Sequence, residues 1–395
     1  MKDNDFIPYG HQSISKEDIA AVVDSLQAEY LTQGPIVGSF EKAIANQVNS
    51  KYAIAVNNAT SALHIACLAL DVKEGDCVWT SPNTFIASAN CARYCGAEVD
   101  FVDIDPRTYN LSAEKLEEKL ISAKRLNTLP KVVIPVHFAG QSCDMEAIHR
   151  LSQEYGFAVI EDASHAIGGQ YQDHPIGDCR YSDICVFSFH PVKIITSAEG
   201  GMALTNNANI ARLLRTYANQ GITKDPQYLI QNVGDWYYEQ HTLGFNYRMT
   251  EMQAALGLSQ LSRLDQFIEK RHQQFKSYEK LLKDFPITLP YQAEDTHSSL
   301  HLYPILLPEH NKAARKGVFE VLRHAGIGTQ VHYIPVHTQP YYQALGFQLG
   351  DFPVAEDYYS RTLSLPLFAD LTSAQQERVA LILKHALIAN RVMSA

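Results

Sequence analysis

Lys193 is the residue in this sequence whose setting most favours covalent chemistry. It follows a short apolar run, Ile184–Phe189, whose β-branched and aromatic residues predict a buried strand. Pro191 ends that strand, and the turn Glu199-Gly200-Gly201 follows the lysine. A lysine at the end of a buried strand can lose its proton and act as an amine nucleophile. Most loop lysines are simply solvated, so this interpretation depends on the residues that accompany Lys193.

A candidate anion site follows the predicted strand Tyr52–Val56. That strand runs directly into Asn57-Asn58-Ala59-Thr60-Ser61, where a strongly helical segment begins. A helix opened by Asn, Thr and Ser presents free backbone N–H groups beside hydroxyls, which suits a phosphate group. Ala59, Thr60 and Ser61 are therefore candidate phosphate-binding residues. An ordinary helix N-cap is the alternative interpretation.

Four further candidates lie near the ends of predicted strands. A carboxylate at Asp162 could pair with a buried cationic ring nitrogen, unless backbone amides or an arginine occupy it. His165 could donate a hydrogen bond to a phenolate oxygen on the same ring, although a lone histidine is more often structural. Phe85 offers an apolar face for stacking, with core packing as the alternative. Ser188 adds a hydroxyl.

Together these residues predict a site for pyridoxal 5'-phosphate (PLP). PLP requires a lysine that forms a Schiff base, an acid opposite the pyridinium nitrogen, an aromatic cover and a helix N-terminus for the phosphate. The sequence contains no GxGxxG and no GxxxxGK[ST], so dinucleotide-binding and P-loop sites lack support. It also lacks HExxH, and we expect no metal site.

The elements that must position these residues alternate between apolar strands and helices. This β-loop-α order predicts an α/β fold with a mostly parallel sheet covered on both faces. Functional groups then gather at the carboxyl ends of the strands. At 395 residues the chain is long enough for two domains. We predict a large PLP-binding domain at 1–272, with the N-terminal segment and a long connecting helix, and a small α+β domain at 273–395.

Three finer expectations concern single elements. An amphipathic helix is predicted to start at Phe40, and the connecting helix to run from Thr250 to about Lys276. A strand is predicted at Ile327–Tyr333 in the small domain.

Composition narrows the class of protein. The formal charge of −10 argues against a nucleic-acid or anionic-membrane surface. No apolar run approaches the roughly 20 residues of a membrane helix, and the N-terminus has no apolar signal core. The seven cysteines are scattered without a metal-type pair, so we interpret them as reduced thiols and expect a cytoplasmic protein.

Five segments carry a resemblance to a known family. The chain resembles, over nearly its whole length, the DegT/DnrJ/EryC1/StrS family of PLP-dependent nucleotide-sugar aminotransferases, which have fold type I (aspartate aminotransferase-like). The segments are Asn58–Leu63, Pro82–Asn90, Asp162–Ala166, Phe187–Gly201 and Gly244–Met249.

The resemblance implies a role for each matching residue. Lys193 would carry PLP, Asp162 would face the pyridine nitrogen, and Thr60, Ser61 and Ser188 would hold the phosphate. Asn246 would reach the phosphate of a second subunit, so the resemblance implies a homodimer with shared active sites.

Other residues resemble one branch of this family, which makes UDP-4-amino-4,6-dideoxy-N-acetyl-β-L-altrosamine for pseudaminic acid. The resembling positions are Ala59, His165, Leu31-Thr32-Gln33-Gly34 and Gln330-Val331-His332-Tyr333. The branch implies L-glutamate as amino donor and a UDP-linked 4-keto-6-deoxy-N-acetyl hexose as acceptor. It also implies substrate contacts at Tyr9, Glu29, Tyr30, Leu31, Thr32, His332 and Tyr333.

Alternatives remain at this point. The acceptor could be a dTDP-4-keto or UDP-3-keto sugar, and the chain could be another fold-type I enzyme, such as a desulfurase or decarboxylase. A non-catalytic binding protein is the third alternative. The family also contains dehydratases in which histidine replaces the lysine, and Lys193 argues against that activity.

Overall fold

A seven-stranded sheet forms the centre of the larger lobe. The structure is a computed structural model that describes residues 6–231 and 233–394. The strands are β1 (Tyr52–Val56), β2 (Cys77–Thr80), β3 (Glu98–Phe101), β4 (Val132–Ile134), β5 (Ala158–Asp162), β6 (Gln170–Tyr171), β7 (His174–Pro175), β8 (Ile184–Ser188), β9 (Gly201–Thr205), β10 (Ile222–Thr223), β11 (Glu239–Gln240), β12 (Thr296–His297), β13 (Tyr303–Leu306) and β14 (Thr362–Leu365).

Helices flank the sheet and build most of the smaller lobe. They are α1 (Lys16–Gln27), α2 (Pro35–Val48), α3 (Ala59–Ala69), α4 (Ala87–Tyr94), α5 (Ala113–Leu126), α6 (Met145–Tyr155), α7 (Ala208–Ala218), α8 (Glu251–Leu261), α9 (Leu264–Leu282), α10 (Arg315–His324), α11 (Pro340–Gln343), α12 (Pro353–Arg361) and α13 (Ser373–Ala389). Short 3₁₀ turns lie at Phe138–Gly140, Glu309–Ala314 and Val336–Thr338.

The strand order of the large sheet is β1-β9-β8-β5-β4-β2-β3. Strand β9 runs antiparallel to both neighbours, and the other adjacent pairs are parallel. All five residues of β8 are buried, because helices cover both faces of the sheet. The mostly parallel α/β sheet predicted from the sequence is confirmed.

The smaller lobe packs around the antiparallel pair β13–β14. Its apolar core joins α9, α10 and α13, with Tyr278 and Leu383 fully buried. The N-terminal segment contributes to this lobe, since Ile7 lies in the same core and pairs with Ile327. Tyr9 accepts a hydrogen bond through its carbonyl from the N–H of Leu367 (3.0 Å). The division at residue 272 stays a prediction.

The prediction of one continuous helix from Thr250 to Lys276 is wrong. The chain forms α8 and α9, separated at Ser262 and Arg263. Arg263 leaves the helical conformation, and its guanidinium donates to the buried carboxylate of Asp18 on α1. The break is therefore associated with an ion pair that fastens the N-terminal helix to the large lobe.

Two other element predictions need correction. Residues 327–333 form no strand, because they make only two isolated bridges and these go to different partners, Ile327 to Ile7 and Gln330 to Ser364. Helix α2 begins at Pro35 rather than Phe40, because Pro suits a first helical turn. The carboxylate of Glu251 accepts hydrogen bonds there from the N–H groups of Gly34 (3.0 Å) and Ile36 (2.7 Å).

Candidate active site

The carboxyl ends of β1 and β8 meet at Gly201. This first residue of β9 lies opposite Val56 on one side and Ser188 on the other. A Cβ atom at Gly201 would lie 2.5 Å from the carbonyl oxygen of Asn58, so only glycine allows this approach without rearrangement. The start of α3 is thereby held beside the residues that follow β8.

The first turn of α3 presents polar groups to a cavity of about 730 Å³. Asn58 caps the helix, its side-chain oxygen accepting from the N–H of Ser61 (2.8 Å). The N–H groups of Ala59 and Thr60 have no intrahelical partner, because they precede the first complete turn. With the hydroxyls of Thr60, Ser61 and Ser188 beside them, they suit an anion.

Asp162 is held by hydroxyl groups at the end of β5. Ser88 donates to one carboxylate oxygen (2.6 Å), and Ser164 donates to the other through its hydroxyl (2.5 Å) and its N–H (3.1 Å). These partners fix the carboxylate while leaving its charge unneutralised. It is therefore available to a cationic group in the cavity.

The loop after β8 places the amine of Lys193 in the same cavity. The Thr196 hydroxyl donates to the Phe189 carbonyl (2.9 Å), and the Lys193 N–H donates to the His190 carbonyl (2.9 Å). Burial lowers the pKa of Lys193 to about 8, and the negative charge of Asp162 opposes that shift. Near neutral pH a useful fraction of the amine is therefore unprotonated.

His165 is linked to Tyr333 across the lobes. Its Nδ1 accepts from the N–H of Ala139 (3.3 Å), and its Nε2 lies 3.1 Å from the Tyr333 hydroxyl. Burial and the nearby Lys193 lower the pKa of His165, so the ring is neutral and its proton lies on Nε2. His165 therefore donates to Tyr333, whose own proton is left for a group in the cavity. Direct contact between His165 and a ring oxygen stays a prediction.

Most of the predicted site residues line this cavity together. They are Tyr9, Ala59, Thr60, Ser61, Phe85, Asp162, His165, Ser188, Lys193, His332 and Tyr333. Phe85 is 58% exposed, so its side chain is available for stacking and is not part of the core. Five predicted residues lie outside the cavity lining and are exposed: Glu29, Tyr30, Leu31, Thr32 and Asn246.

Sequence reasoning missed the residues that hold Asp162 and a second cavity. Ser88 lies in α4, and no local pattern distinguishes its hydroxyl from other helical serines. The second cavity, about 740 Å³, adjoins the first at Tyr9, Phe85 and Tyr333. Arg93 and Tyr341 are among its other lining residues. It is formed by α4 and the segment after Gly328, which are distant in sequence.

These residues fit PLP at each point that the cofactor requires. The start of α3 presents groups that suit a phosphate, Asp162 is a fixed carboxylate, and Lys193 is an amine with a lowered pKa. In residues 6–231 and 233–394 no cluster of His, Cys, Asp and Glu could hold a metal ion. No helix in the described part of the chain is long and apolar enough to cross a membrane.

The lowered pKa of Lys193 predicts how the cofactor-free protein takes up PLP. Covalent capture needs the free amine, so its rate should rise with pH and reach half its maximum near pH 8. An ordinary lysine, with a pKa of about 10.4, would place the midpoint more than two units higher. Borohydride trapping followed by mass spectrometry of the Lys193 peptide measures the rate. A midpoint near 10 would contradict the burial of this amine.

Comparisons with known proteins agree with this geometry. Residues 12–384 match the DegT/DnrJ/EryC1/StrS aminotransferase family. The spore coat polysaccharide biosynthesis protein SpsC of Bacillus subtilis is 39% identical over 376 residues, 94% of this chain and 95% of that protein. The UDP-4-amino-4,6-dideoxy-N-acetyl-beta-L-altrosamine transaminase of Campylobacter jejuni is 37% identical over 368 residues, 92% of this chain and 93% of the relative.

Solved structures of aminotransferases are also similar to this chain. PseC of Helicobacter pylori, an aminotransferase involved in the biosynthesis of pseudoaminic acid, superimposes with a TM-score of 0.89 at 31% identity, covering 97% of this chain and 100% of PseC. The sugar aminotransferase Spr1654 of Streptococcus pneumoniae, solved in its PLP form, has a TM-score of 0.88 at 26% identity, covering 98% and 100%. It was also solved with pyridoxamine phosphate. The chain belongs to the DegT/DnrJ/EryC1/StrS aminotransferase family, with the fold-type I architecture, PLP as its cofactor and sugar aminotransferase activity.

Proposed function

We propose that the protein transfers the amino group of L-glutamate to C4 of a UDP-linked 4-keto-6-deoxy-N-acetyl hexose. The product would be UDP-4-amino-4,6-dideoxy-N-acetyl-β-L-altrosamine, for pseudaminic acid biosynthesis. One observation carries the proposal: the cavity that Lys193 lines adjoins a second cavity of similar volume. The names of the Campylobacter and Helicobacter relatives support the choice of sugar.

Each group of the Lys193 cavity has a role in transamination. PLP supplies the electron-accepting ring that makes the α-proton of the donor acidic. Lys193 is the positioned base that accepts this proton and returns it as an acid in the second half-reaction. Asp162, held by Ser88 and Ser164, is the carboxyl group that would face the ring nitrogen of the bound cofactor. The Tyr333 hydroxyl accepts a hydrogen bond from His165, so its own proton is available to an oxygen of a group bound in the cavity.

The second cavity suits a nucleotide. Phe85 (58% exposed) and Tyr341 (54% exposed) offer aromatic faces for the base. Tyr9, His332 and Tyr333 line both cavities and would contact the sugar between them. SpsC, at 39% identity, is named for a different polysaccharide, so another nucleotide ketosugar is the second candidate for the acceptor.

A homodimer with shared active sites would explain the five predicted site residues that do not line the cavity of their own chain. Asn246 and residues 29–32 lie outside the cavity of their own chain, and they belong to one connected unit. The N–H of Glu251 donates to the Leu31 carbonyl (3.0 Å), and Thr32 pairs with Thr250. We propose that this unit extends into the active site of a second subunit.

The apolar flap supports the same arrangement. We give this name to residues 222–231 and 233–243, which include Ile230 (85% exposed), Trp236 (75%) and Leu243 (78%). Large exposed apolar side chains that are close together mark an interaction surface. Because the flap immediately precedes Asn246, a second subunit that covers the flap would also receive that side chain.

All seven cysteines are free thiols, which supports the expected cytoplasmic compartment.

A two-step spectroscopic titration tests the substrate. L-Glutamate should bleach the yellow band of the loaded enzyme, and the UDP-4-keto precursor of the altrosamine sugar should restore it fastest among several nucleotide ketosugars. Fastest restoration by another ketosugar would show that the substrate assignment is wrong. A protein that stays colourless with added PLP would overturn the assignment of Lys193.

Mixing two inactive variants tests the sharing of active sites. Lys193→Ala and Asn246→Ala proteins should each be inactive or nearly so, and mixing them should restore activity. Random reassortment gives half heterodimers, each with one intact site, so recovery should approach about a quarter of the wild-type level. Native mass spectrometry verifies that the subunits have exchanged. If activity then fails to recover, the proposal of shared active sites is contradicted.

A further inference from the structure

Ser364 and Tyr358 of the smaller lobe hold the segment that ends at His332. The backbones of Ser364 and Gln330 exchange two hydrogen bonds, one from the N–H of Ser364 (2.8 Å) and one from the N–H of Gln330 (3.3 Å). The Tyr358 hydroxyl donates to the carbonyl of His332 (3.0 Å). The Ser364 hydroxyl lies 2.8 Å from Nδ1 of His332. The imidazole is therefore fixed both through its backbone and through its ring.

Hydrogen-bond satisfaction determines which ring nitrogen of His332 carries the proton. Ser364 is fully buried in β14, and its hydroxyl has no other hydrogen-bond partner in the described part of the chain. If Nδ1 donated to that hydroxyl, the serine proton would be buried without an acceptor, which is costly. The serine therefore donates to Nδ1, and the imidazole proton lies on Nε2. Burial, followed by the charge of Lys193, lowers the pKa of His332 to about 3, so the ring stays neutral.

The Nε2–H group of His332 is a hydrogen-bond donor at the junction of the two cavities. His332 lines both cavities, and its ring packs against those of Tyr9 (centroids 5.3 Å apart) and Tyr333 (4.9 Å). Nε2 has no hydrogen-bond partner among the described residues, and it is not one of the buried atoms that lack a partner. A ligand in the cavities can therefore reach this donor, and it must offer a lone pair to use it.

A nucleotide sugar is the substrate that would lie across this junction. Glutamate needs only the cavity that Lys193 lines, whereas the sugar of a bound nucleotide would sit where the two cavities adjoin. We propose that Ser364 is a positioning residue for the sugar acceptor: it holds His332 in the tautomer whose Nε2–H donates to an oxygen of the sugar. The inference rests on the proposed binding of a nucleotide ketosugar across both cavities, but not on which ketosugar it is.

Separate rates for the two half-reactions test this role in the PLP-loaded protein. The acceptor is the nucleotide ketosugar that restores the yellow band of the wild type fastest. Ser364→Ala should slow restoration at low ketosugar concentration roughly 2- to 10-fold, through a higher half-saturating concentration, and leave bleaching by glutamate unchanged. Ser360→Ala removes a hydroxyl of the same lobe that donates to the Asp357 carbonyl (2.7 Å), and it should change neither rate. Equal slowing of both half-reactions by Ser364→Ala, or no slowing of either, would overturn the proposal.

Two substitutions of His332 separate its donor from its contact with Ser364. A glutamine amide places its nitrogen near the position of Nε2 and keeps a donor for the sugar, whereas an asparagine amide ends near the position of Nδ1. His332→Gln should therefore bind the ketosugar more tightly than His332→Asn. Because a glutamine N–H does not depend on a tautomer, adding Ser364→Ala to His332→Gln should cause no further loss of affinity. A further loss as large as in the wild-type background would show that Ser364 acts only through the fold.

Isotope labelling observes the tautomer directly. Proton–nitrogen correlation spectra of the loaded protein with labelled histidine should show His332 with a proton on Nε2 and none on Nδ1. Absence of these signals in His332→Gln identifies them. In Ser364→Ala the signals should shift toward a mixture of the two tautomers, and thermal unfolding verifies that this variant is folded. A proton on Nδ1 of His332 in the wild type would refute the assigned tautomer and the proposal with it.

Discussion

Replacing Lys193 with alanine should leave a folded protein that makes no aminosugar. The variant loses both the amine that captures PLP and the base that moves the α-proton. Acid–base catalysis alone is worth about 10²- to 10⁴-fold, so product formation should fall by at least about 10³-fold. Mass-spectrometric detection of the aminosugar nucleotide measures the loss, and circular dichroism verifies the fold.

Lys270→Ala is the matched control for that variant. Lys270, in α9, forms an exposed ion pair with Asp370 (3.2 Å) and lines neither cavity, and exposed pairs contribute about 0–1 kcal/mol. Its turnover should equal that of the wild type. Substantial residual activity in Lys193→Ala, well above 1% of wild type, would contradict the assigned role of Lys193.

Asp162→Asn should produce the second large effect. Asparagine retains the shape of the side chain and accepts one of the two hydroxyl hydrogen bonds, but it removes the negative charge. Loss of one partner of a buried charge pair costs about 3–5 kcal/mol, which corresponds to about 10²- to 10⁴-fold in rate. The rate at which glutamate bleaches the loaded enzyme measures this effect directly.

Glu161→Gln separates the loss of charge at Asp162 from damage to strand β5. Glu161 is next to Asp162 but points to the other face of the sheet, where it bonds with His137 (2.8 Å) and the Ser182 hydroxyl. This variant should unfold at a lower temperature and retain its bleaching rate. If both variants lowered the rate equally, Asp162 would be acting through the fold and not through its charge.

The sequence predicted the parts of the site that depend on local structure. Asp162 and Ser188 end strands with a clear apolar pattern, and Lys193 and the start of α3 come shortly after such strands. Parallel strands bring their carboxyl ends to one edge, so local patterns were enough to place these side chains together.

What the sequence could not predict depends on contacts between distant segments. Arg263 interrupts the long helix because Asp18, far away in the chain, receives its guanidinium. Residues 327–333 form no continuous strand pairing because Ile327 and Gln330 bridge to different partners. Neither contact leaves a periodic signal in the sequence.

The exposed flap contains a tryptophan whose fluorescence would report the formation of a dimer. The chain has two tryptophans, of which Trp79 is 2% exposed in β2 and Trp236 is 75% exposed in the flap. If a second subunit covers the flap, the emission of Trp236 should move to shorter wavelength while that of Trp79 stays constant. A dilution series of intrinsic fluorescence would then give the dissociation constant of the dimer without any added label, and Trp236→Phe should abolish the shift.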